Sequence, residues 1–597
     1  MNSSHETPAR TFALEDGLPR VPLPTLDHTC ERFIEWCSPL LTDEQLAETE
    51  AAVADFLRPD GPGRRLHAAL EEYDAREDVH SWLDLFWPSR YLGRRDRIAL
   101  NANFFFLFEE SPLGQVERAA QLVAAAVDYK LRLDGERIPP VQRRGQALSM
   151  DQNKFLFATT RIPGVEQDTV RAPYSETEPG PSKSTHILVF HRGNMFRMEV
   201  LDAEGRPYSR EDLAAGVQAV LKDGEVRAER DTSVGHLTTM ARAEWAGTRR
   251  RLIACDPANP AALEEVESAL FCLCLEDVAP ATSLEACDLL LHGDSGDRWF
   301  DKAVSLIVFP DGQAGINVEH CGLDGTTILS FTEDILATFP ETPSLGSPPV
   351  RPVEFVLDDT LRADVRAAAD AFAQYAADTA TSTLSFPDFG TTRAKQLKIS
   401  PDAFVQMAYQ LAHKRSKGLT GATYESIATR HFRRGRTEAM RVVTPEILRF
   451  VSVMDDAAAD KATRLAAFRA AADKHVERAK QCQAGDAPEQ HLWELQWIQR
   501  RRGPELGVTE HLALYDTPGW TVTRDDYLST SSAPSVNIQY FGFGSTSDKC
   551  IGIAYVLLPD RFNLYLSTPE PVAAAMFDFA AHLRTAVREL EALLAEG

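Results

Sequence analysis

Four groups of residues in this chain have the types and spacing to do chemistry. The first is Glu319-His320-Cys321-Gly322-Leu323-Asp324-Gly325, directly after the apolar run Ala314 to Val318. Histidine is the side chain that exchanges a proton near neutral pH. A carboxylate four residues on can hold its ring where the loop turns back, and Gly325 would permit that turn. Taken alone, an HxxxDG loop is more often a satisfied loop histidine than a base. The second group is Leu528-Ser529-Thr530-Ser531, ahead of the strand reaching Phe541. Adjacent hydroxyls can donate to an oxyanion without being nucleophiles, although a lone Ser/Thr cluster is usually a turn. The third is Arg393, Lys395 and Lys398, running into Ser400-Pro401-Asp402, a helix start beside lysines that could hold a phosphate. The fourth spans Tyr424-Glu425-Ser426 to Gly435-Arg436-Thr437-Glu438, with Arg430, Arg433, Arg434, Arg436 and Arg441. Its arginines could suggest nucleic acid, but no aromatics interleave them to stack bases, so a solvated or ion-paired face is the better reading. No G-x-S-x-G elbow, Walker A loop or H-E-x-x-H helix is present.

The elements that must position these groups are legible as patterns. Ile187 to Phe190 and Met195 to Leu201 flank Arg192-Gly193-Asn194, a hairpin signature, and Val304 to Phe309 with Ala314 to Val318 repeat it around Pro310-Asp311-Gly312. Helical periods run over 115–135, 212–222, 358–379, 401–416, 459–482 and 570–595, and Thr42-Asp43-Glu44-Gln45 opens a capped helix. Residues 536–543, 550–558 and, more briefly, 562–566 read as strands, and 1–25 as a polar lead-in. The proline-rich stretch Ser344 to Pro352 is the expected boundary between domains 1–350 and 351–597. Helices and strands mix in both halves, so the fold class is α/β or α+β with mixed sheets.

Composition limits the rest. The 597 residues are 44% apolar and 25% charged, as in ordinary globular proteins. With 63 basic and 88 acidic side chains the net charge is −25, unsuited to generic polyanion binding and so to nucleic acid. Nine cysteines form neither a disulfide framework nor a zinc motif, and read as buried thiols in a reducing compartment. No run of apolar residues is long enough to span a membrane, and Met1 to Arg20 has no apolar signal core. The expectation is a cytoplasmic protein of unspecified oligomeric state.

In this order, the segments resemble the carnitine/choline acyltransferase family over nearly the whole chain. Leu18-Pro19-Arg20-Val21-Pro22-Leu23-Pro24, Tyr91-Leu92, Asn101-Ala102-Asn103-Phe104, Thr160-Arg161-Ile162-Pro163-Gly164 and Arg298-Trp299-Phe300-Asp301-Lys302 are further family-like words. The resemblance implies two similarly folded domains with an active-site tunnel between them. It implies acyl transfer between coenzyme A, as co-substrate, and the hydroxyl of a quaternary-ammonium alcohol, with no permanent cofactor, metal or acyl-enzyme. It makes His320 the base, Asp324 its partner and Ser531 the oxyanion donor. Lys395 corresponds to a lysine that meets the coenzyme A phosphates, with Lys398 and Asp402 beside it, whereas a second family lysine is Thr391 here. Tyr424, Thr437, Gln490, Ser529 and Phe541 are placed around the acceptor, Phe541 facing the trimethylammonium group.

The acceptor itself divides the family. In carnitine enzymes a Tyr, a Thr and an Arg receive the carboxylate; Tyr424 and Thr437 match the first two, but the arginine position holds Gln490. Losing a charge-assisted partner outweighs keeping one neutral hydroxyl, which favours choline or another carboxylate-free alcohol, with carnitine as the alternative. A large side chain at Gln539, near the position that sets acyl length, favours short acyl groups. Two other readings are an acyltransferase fed by a carrier protein, against which the lysines before Ser400 argue, and a non-catalytic binding protein, against which His320, Asp324 and Ser531 argue.

Overall fold

The computed structural model describes residues 10–143 and 145–595, so the first part of the expected lead-in lies outside the described residues. The chain forms two compact units, and neither is continuous in sequence: the first comprises 1–18, 89–379 and 533–544, the second 19–88, 380–532 and 545–597. This corrects the expected boundary at residue 350. Val350–Pro352 is no linker but an edge strand paired with Asn194–Glu199, and the helix Asp359–Ala377 packs on the turn Val234–Thr239 and the helix Arg242–Cys255. Proline is tolerated there because an edge strand can lack an N–H donor.

The first unit holds an eight-stranded mixed sheet in the order Val350–Pro352, Asn194–Glu199, His186–His191, Cys272–Leu275, Val304–Val308, Ala314–Val318, Phe104–Phe108, Ile538–Phe543. Both expected hairpins are present. Arg192 and Gly193, at the tip of the first, have φ of 51° and 76°, the left-handed pair that suits a two-residue turn. Phe104–Phe108 is buried at all five positions, as an unbroken apolar run with both neighbours paired must be. The helix Gln115–Asp134 packs on the strands Cys272–Leu275 and Val304–Val308 and on the helix Gly325–Ala337.

The second unit has a six-stranded sheet in the order Thr379–Phe386, Phe562–Pro569, Ile551–Leu557, Leu528–Ser532, Thr423–Ala428, Thr437–Arg441. The Ser/Thr cluster, expected ahead of a strand, is therefore a strand itself, and the strand at 562 runs further than expected. The helices Pro401–Lys417 and Ala573–Ala595 pack together over this sheet, and the Thr42 capping box opens Asp43–Phe56 as anticipated.

Both sheets contain one pattern. A hairpin's first strand is flanked by a parallel strand, then a second parallel strand, whose own hairpin returns antiparallel. In each unit the strand earliest in that unit's sheet lies beside the last hairpin. The expectation of two similarly folded domains is met at this level, with Ile538–Phe543 an added edge on the first sheet.

Burial sets one acid apart. Asp297 accepts the Gly193 N–H at 2.6 Å but is otherwise desolvated, and the neighbouring Glu276 charge adds to the effect, so its pKa rises from 3.8 to about 7. The folded chain therefore binds this proton more tightly than the unfolded one. The stability so contributed is complete below about pH 4 and lost as pH climbs toward 7. Asp297→Asn, which keeps the acceptor oxygen, should lose less stability than wild type between pH 5 and pH 8, by about 1–3 kcal/mol in denaturant titrations.

Candidate functional site

The strand Ala314–Val318 delivers the chain to Glu319 and His320, and the helix Gly325–Ala337 starts immediately beyond the loop. Asp324 is that helix's N-cap residue, yet its side chain caps no backbone N–H. Its carboxylate instead faces the imidazole: Asp324 Oδ1 lies 3.3 Å from His320 Nδ1. The Leu323 carbonyl lies 3.1 Å from the same nitrogen. Both neighbours are acceptors, a geometry that suits the tautomer with its proton on Nδ1 and its lone pair on Nε2. Gly325 does not make the turn as expected, because it is the first helical residue and does not have positive φ. The close approach is at Gly322, where a Cβ would come within 2.6 Å of the Phe155 ring.

Two rings fix the imidazole plane. Tyr91 stacks on His320 at 5.0 Å and 13°, and Phe104 packs at 5.0 Å and 48°. Phe541 lies in the same unit, buried against Phe104 and Phe106. Gln152 ties the loop to the rest. Its Oε1 accepts the Asp324 N–H at 2.8 Å and the Thr327 hydroxyl at 2.7 Å, while its Nε2 donates to Asp324 Oδ2 at 3.0 Å.

Behind the loop runs a buried chain of alternating charges. Arg161, 1% exposed, bonds Glu319 Oε1 at 2.7 Å and Asp168 Oδ2 at 2.6 Å. Asp168 also accepts from Arg242 at 2.7 Å and Arg95 at 3.0 Å, and Arg242 meets Asp301 at 2.8 Å. Trp245 donates to the other Asp301 oxygen at 2.7 Å. The backbones lie side by side too: the Arg161 N–H reaches the Asp301 carbonyl and the Glu319 N–H the Ala303 carbonyl.

The other predicted residues belong to the second unit. Alternation along Leu528–Ser532 puts Ser529 and Ser531 on one face and sends Thr530 to the other. Thr530 is fully buried, donates to the Tyr424 carbonyl at 3.0 Å and accepts from Gln406 at 2.9 Å. Tyr424 pairs with Ser529 across the parallel ladder. Lys395 ends the short helix Thr391–Gln396, and Lys398, with φ of 55°, precedes Ser400, which caps Pro401–Lys417 as anticipated; both lysines are exposed.

Asp402, expected beside the coenzyme, has partners within its own unit. Its carboxylate accepts the Tyr555 hydroxyl at 2.7 Å and faces His475 at 3.2 Å. Glu425 lies 3.3 Å from the same histidine, and these three are the one group of metal-ligand types that converges among the described residues. Burial and the Asp402 charge hold the Glu425 pKa well above its usual range, while hydrogen bonds from His475 and Tyr555 lower that of Asp402.

Gln490, on the helix Glu489–Arg502, is 1% exposed. Its amide donates to the Thr437 carbonyl at 2.8 Å, and among the described residues its Oε1 has no hydrogen-bond partner. Nearby, Arg441 lies over the Tyr424 ring and is bound by Glu489 at 2.5 and 2.8 Å and by Asp526 at 2.6 Å. Arg524 sits over both Trp493 and Trp520, within 4.3 Å of each ring centre, and 3.3 Å from Glu489.

The sequence model of the choline/carnitine O-acyltransferases matches residues 21–585. The chain belongs to this family. Among relatives, mitochondrial carnitine O-palmitoyltransferase 2 of Mus musculus is 30% identical over 605 residues, covering 94% of this chain and 89% of that one. Carnitine O-acetyltransferase of Homo sapiens is 28% identical over 612 residues, covering 98% and 95%. Among solved structures, the starter condensation domain of rhizomide synthetase aligns at 11% identity with a TM-score of 0.30 over 84% of this chain and 92% of that domain. As a choline/carnitine O-acyltransferase the protein is an acyltransferase that uses acyl-coenzyme A.

Sequence reasoning missed Gln152, which sits in no motif and meets Asp324 from 172 residues away. It also missed that Arg161 and Asp301, quoted only as family words, lie in one charge network with Glu319. If Gln152 holds the His–Asp loop, Gln152→Ala should lower kcat roughly tenfold, since removing one partner of a buried hydrogen bond costs about 1–3 kcal/mol. The KM for acyl-coenzyme A should change little in the same steady-state measurements.

Proposed function

We propose that the protein moves a short acyl group between coenzyme A and the hydroxyl of choline or a similar carboxylate-free amino alcohol, with His320 as general base. The observation that carries the base is the pair of acceptors at Nδ1, which leaves the Nε2 lone pair for the substrate proton. His320 Nε2 takes the alcohol proton as the oxygen attacks the thioester carbonyl. The charge that develops on the former carbonyl oxygen is met by the Ser531 hydroxyl. Collapse breaks the carbon–sulfur bond, and the proton on Nε2 passes to the departing thiolate. Asp324 steadies the imidazolium between these two transfers. Lys395 and Lys398, exposed and cationic, are the proposed partners of the coenzyme's phosphates.

The acceptor reading rests on Gln490. A buried amide oxygen without a partner welcomes a hydroxyl or another donor and repels a carboxylate. Arg441, the nearby guanidinium, is already neutralised by Glu489 and Asp526. Phe541 offers a ring to a quaternary ammonium. The preference for short acyl groups rests on Gln539, whose amide is pinned to the Phe108 carbonyl at 2.7 Å. Carnitine is the second reading, favoured by the names of the mouse and human relatives and by Tyr424 and Thr437. No disulfide joins the cysteines among the described residues, which suits a reducing compartment such as the cytoplasm. No helix among the described residues is long and apolar enough to cross a membrane.

A thiol-release assay with acetyl-coenzyme A and a panel of alcohols tests both parts. His320→Ala should lose roughly 10²–10⁴-fold in turnover with coenzyme A binding intact; near-normal turnover would remove His320 from the chemistry. Wild type should use choline better than carnitine, and Gln490→Arg should shift relative kcat/KM toward carnitine by roughly 10–100-fold. A wild type that strongly prefers carnitine would overturn the acceptor assignment.

A further inference from the structure

We propose that Arg161 is a positioning residue for His320, acting through Glu319 and Tyr91. The proposal rests on His320 being the base. The Arg161 guanidinium uses its three nitrogens in three directions: Nε to Asp168 Oδ2 at 2.6 Å, Nη1 to Glu319 Oε1 at 2.7 Å, and Nη2 to the Tyr91 carbonyl at 2.7 Å. Glu319 is the residue immediately before the base, and Tyr91 is the residue whose ring lies on it at 5.0 Å. One buried side chain therefore sets both where the loop enters and where the stacking ring sits. The third contact, with Asp168, anchors the fork to Arg242 and Asp301, so it cannot swing with the loop.

Stability is a poor reason for this arrangement. A buried ion network recovers little more than its own desolvation cost and can often be replaced by packed apolar side chains. What apolar packing cannot supply is a rigid three-way fork, and a lysine cannot supply it either, since its ammonium is a single point at the end of a flexible stem. The loop between Val318 and Gly325 is the part of the site that needs such a fix, because its short length leaves His320 between strand and helix without regular backbone pairing of its own.

Arg161→Lys, Glu319→Gln, their double variant and His320→Ala are to be compared by steady-state kinetics and thermal unfolding of the full chain. Arg161→Lys should lower kcat roughly 10–100-fold, as a small misplacement of a catalytic group does, while the KM for acyl-coenzyme A stays within about threefold. The double variant should be no worse than the more damaged single, because both changes cut one linkage. Should Arg161→Lys fail to fold, Tyr91→Leu removes the stacked ring without touching a buried charge. It should also lower kcat, and Tyr91→Phe, which keeps a ring, should restore most of the loss. A folded Arg161→Lys with wild-type kcat, or a Tyr91→Leu with wild-type kcat, would overturn the proposal. So would additive losses in which kcat, KM and melting temperature worsen together. His320→Ala separates the two ideas: activity there sinks the base itself, whereas an inactive His320→Ala beside an unaffected Arg161→Lys sinks only the positioning.

Discussion

The first unit depends on keeping buried charges paired. Glu319, Asp168 and Asp301 are three carboxylates away from solvent, and each faces at least one arginine. An isolated charge at any of these places would cost several kcal/mol, so the segments that supply them must arrive together or not at all. These segments are Thr160–Ile162 with its partner strand Thr169–Arg171, the turn after Arg298, the helix Arg242–Cys255, and the end of the strand Ala314–Val318. The chemistry-bearing loop is the last member of this set. Its histidine is placed by a condition that belongs to the whole unit, and the Gln152 amide then supplies the fine adjustment at Asp324.

The second unit solves a different problem. Its site residues line up on adjacent strands, where the ladder itself sets Tyr424 against Ser529 and Ala428 against Thr437. Thr530 fixes the rotation of the Ser-Thr-Ser strand by spending its hydroxyl on Tyr424 and Gln406, which leaves its two serine neighbours sharing the other face. Around Gln490 the charges cancel: Arg441 and Arg524 against Glu489 and Asp526. Burial pushes Asp526 to about 6, so the balance itself loosens in mild acid. The four charges therefore pair off beside the buried Gln490 amide.

Much of this was legible in the sequence because it is local. The hairpin tips carry their turn residues, Ser400-Pro401 carries a cap, and the long helices carry their period. Motif order sufficed to recognise the family. What was not legible depends on partners distant in sequence. Gly325 looked like the turn residue, but the tight approach is made at Gly322 by Phe155. Nothing local to Asp402 reveals Tyr555 and His475 as its partners. The prolines of 344–352 looked like a linker because nothing local reveals that Asn194–Glu199 offers an edge. Gln490 could be aligned from spacing, but only the fold shows that it turns its donor to Thr437 and leaves its acceptor unspent.

The strand Phe104–Phe108 has a consequence for how the protein is made. Of its two neighbours in the sheet, Ala314–Val318 emerges first, and Ile538–Phe543 comes last; 431 residues separate Phe108 from Gln539, which bonds its carbonyl. At about 5–20 residues per second a ribosome needs roughly 20–90 s to cover that distance. For all that time one edge of a phenylalanine-rich strand waits with its backbone groups unpaired, which is the condition under which chains stick to one another. The first unit cannot be finished before the second is almost complete. Nascent chains should therefore be captured by chaperones along this edge, and a ribosome stalled before codon 538 should leave a product that aggregates rather than a free-standing catalytic half.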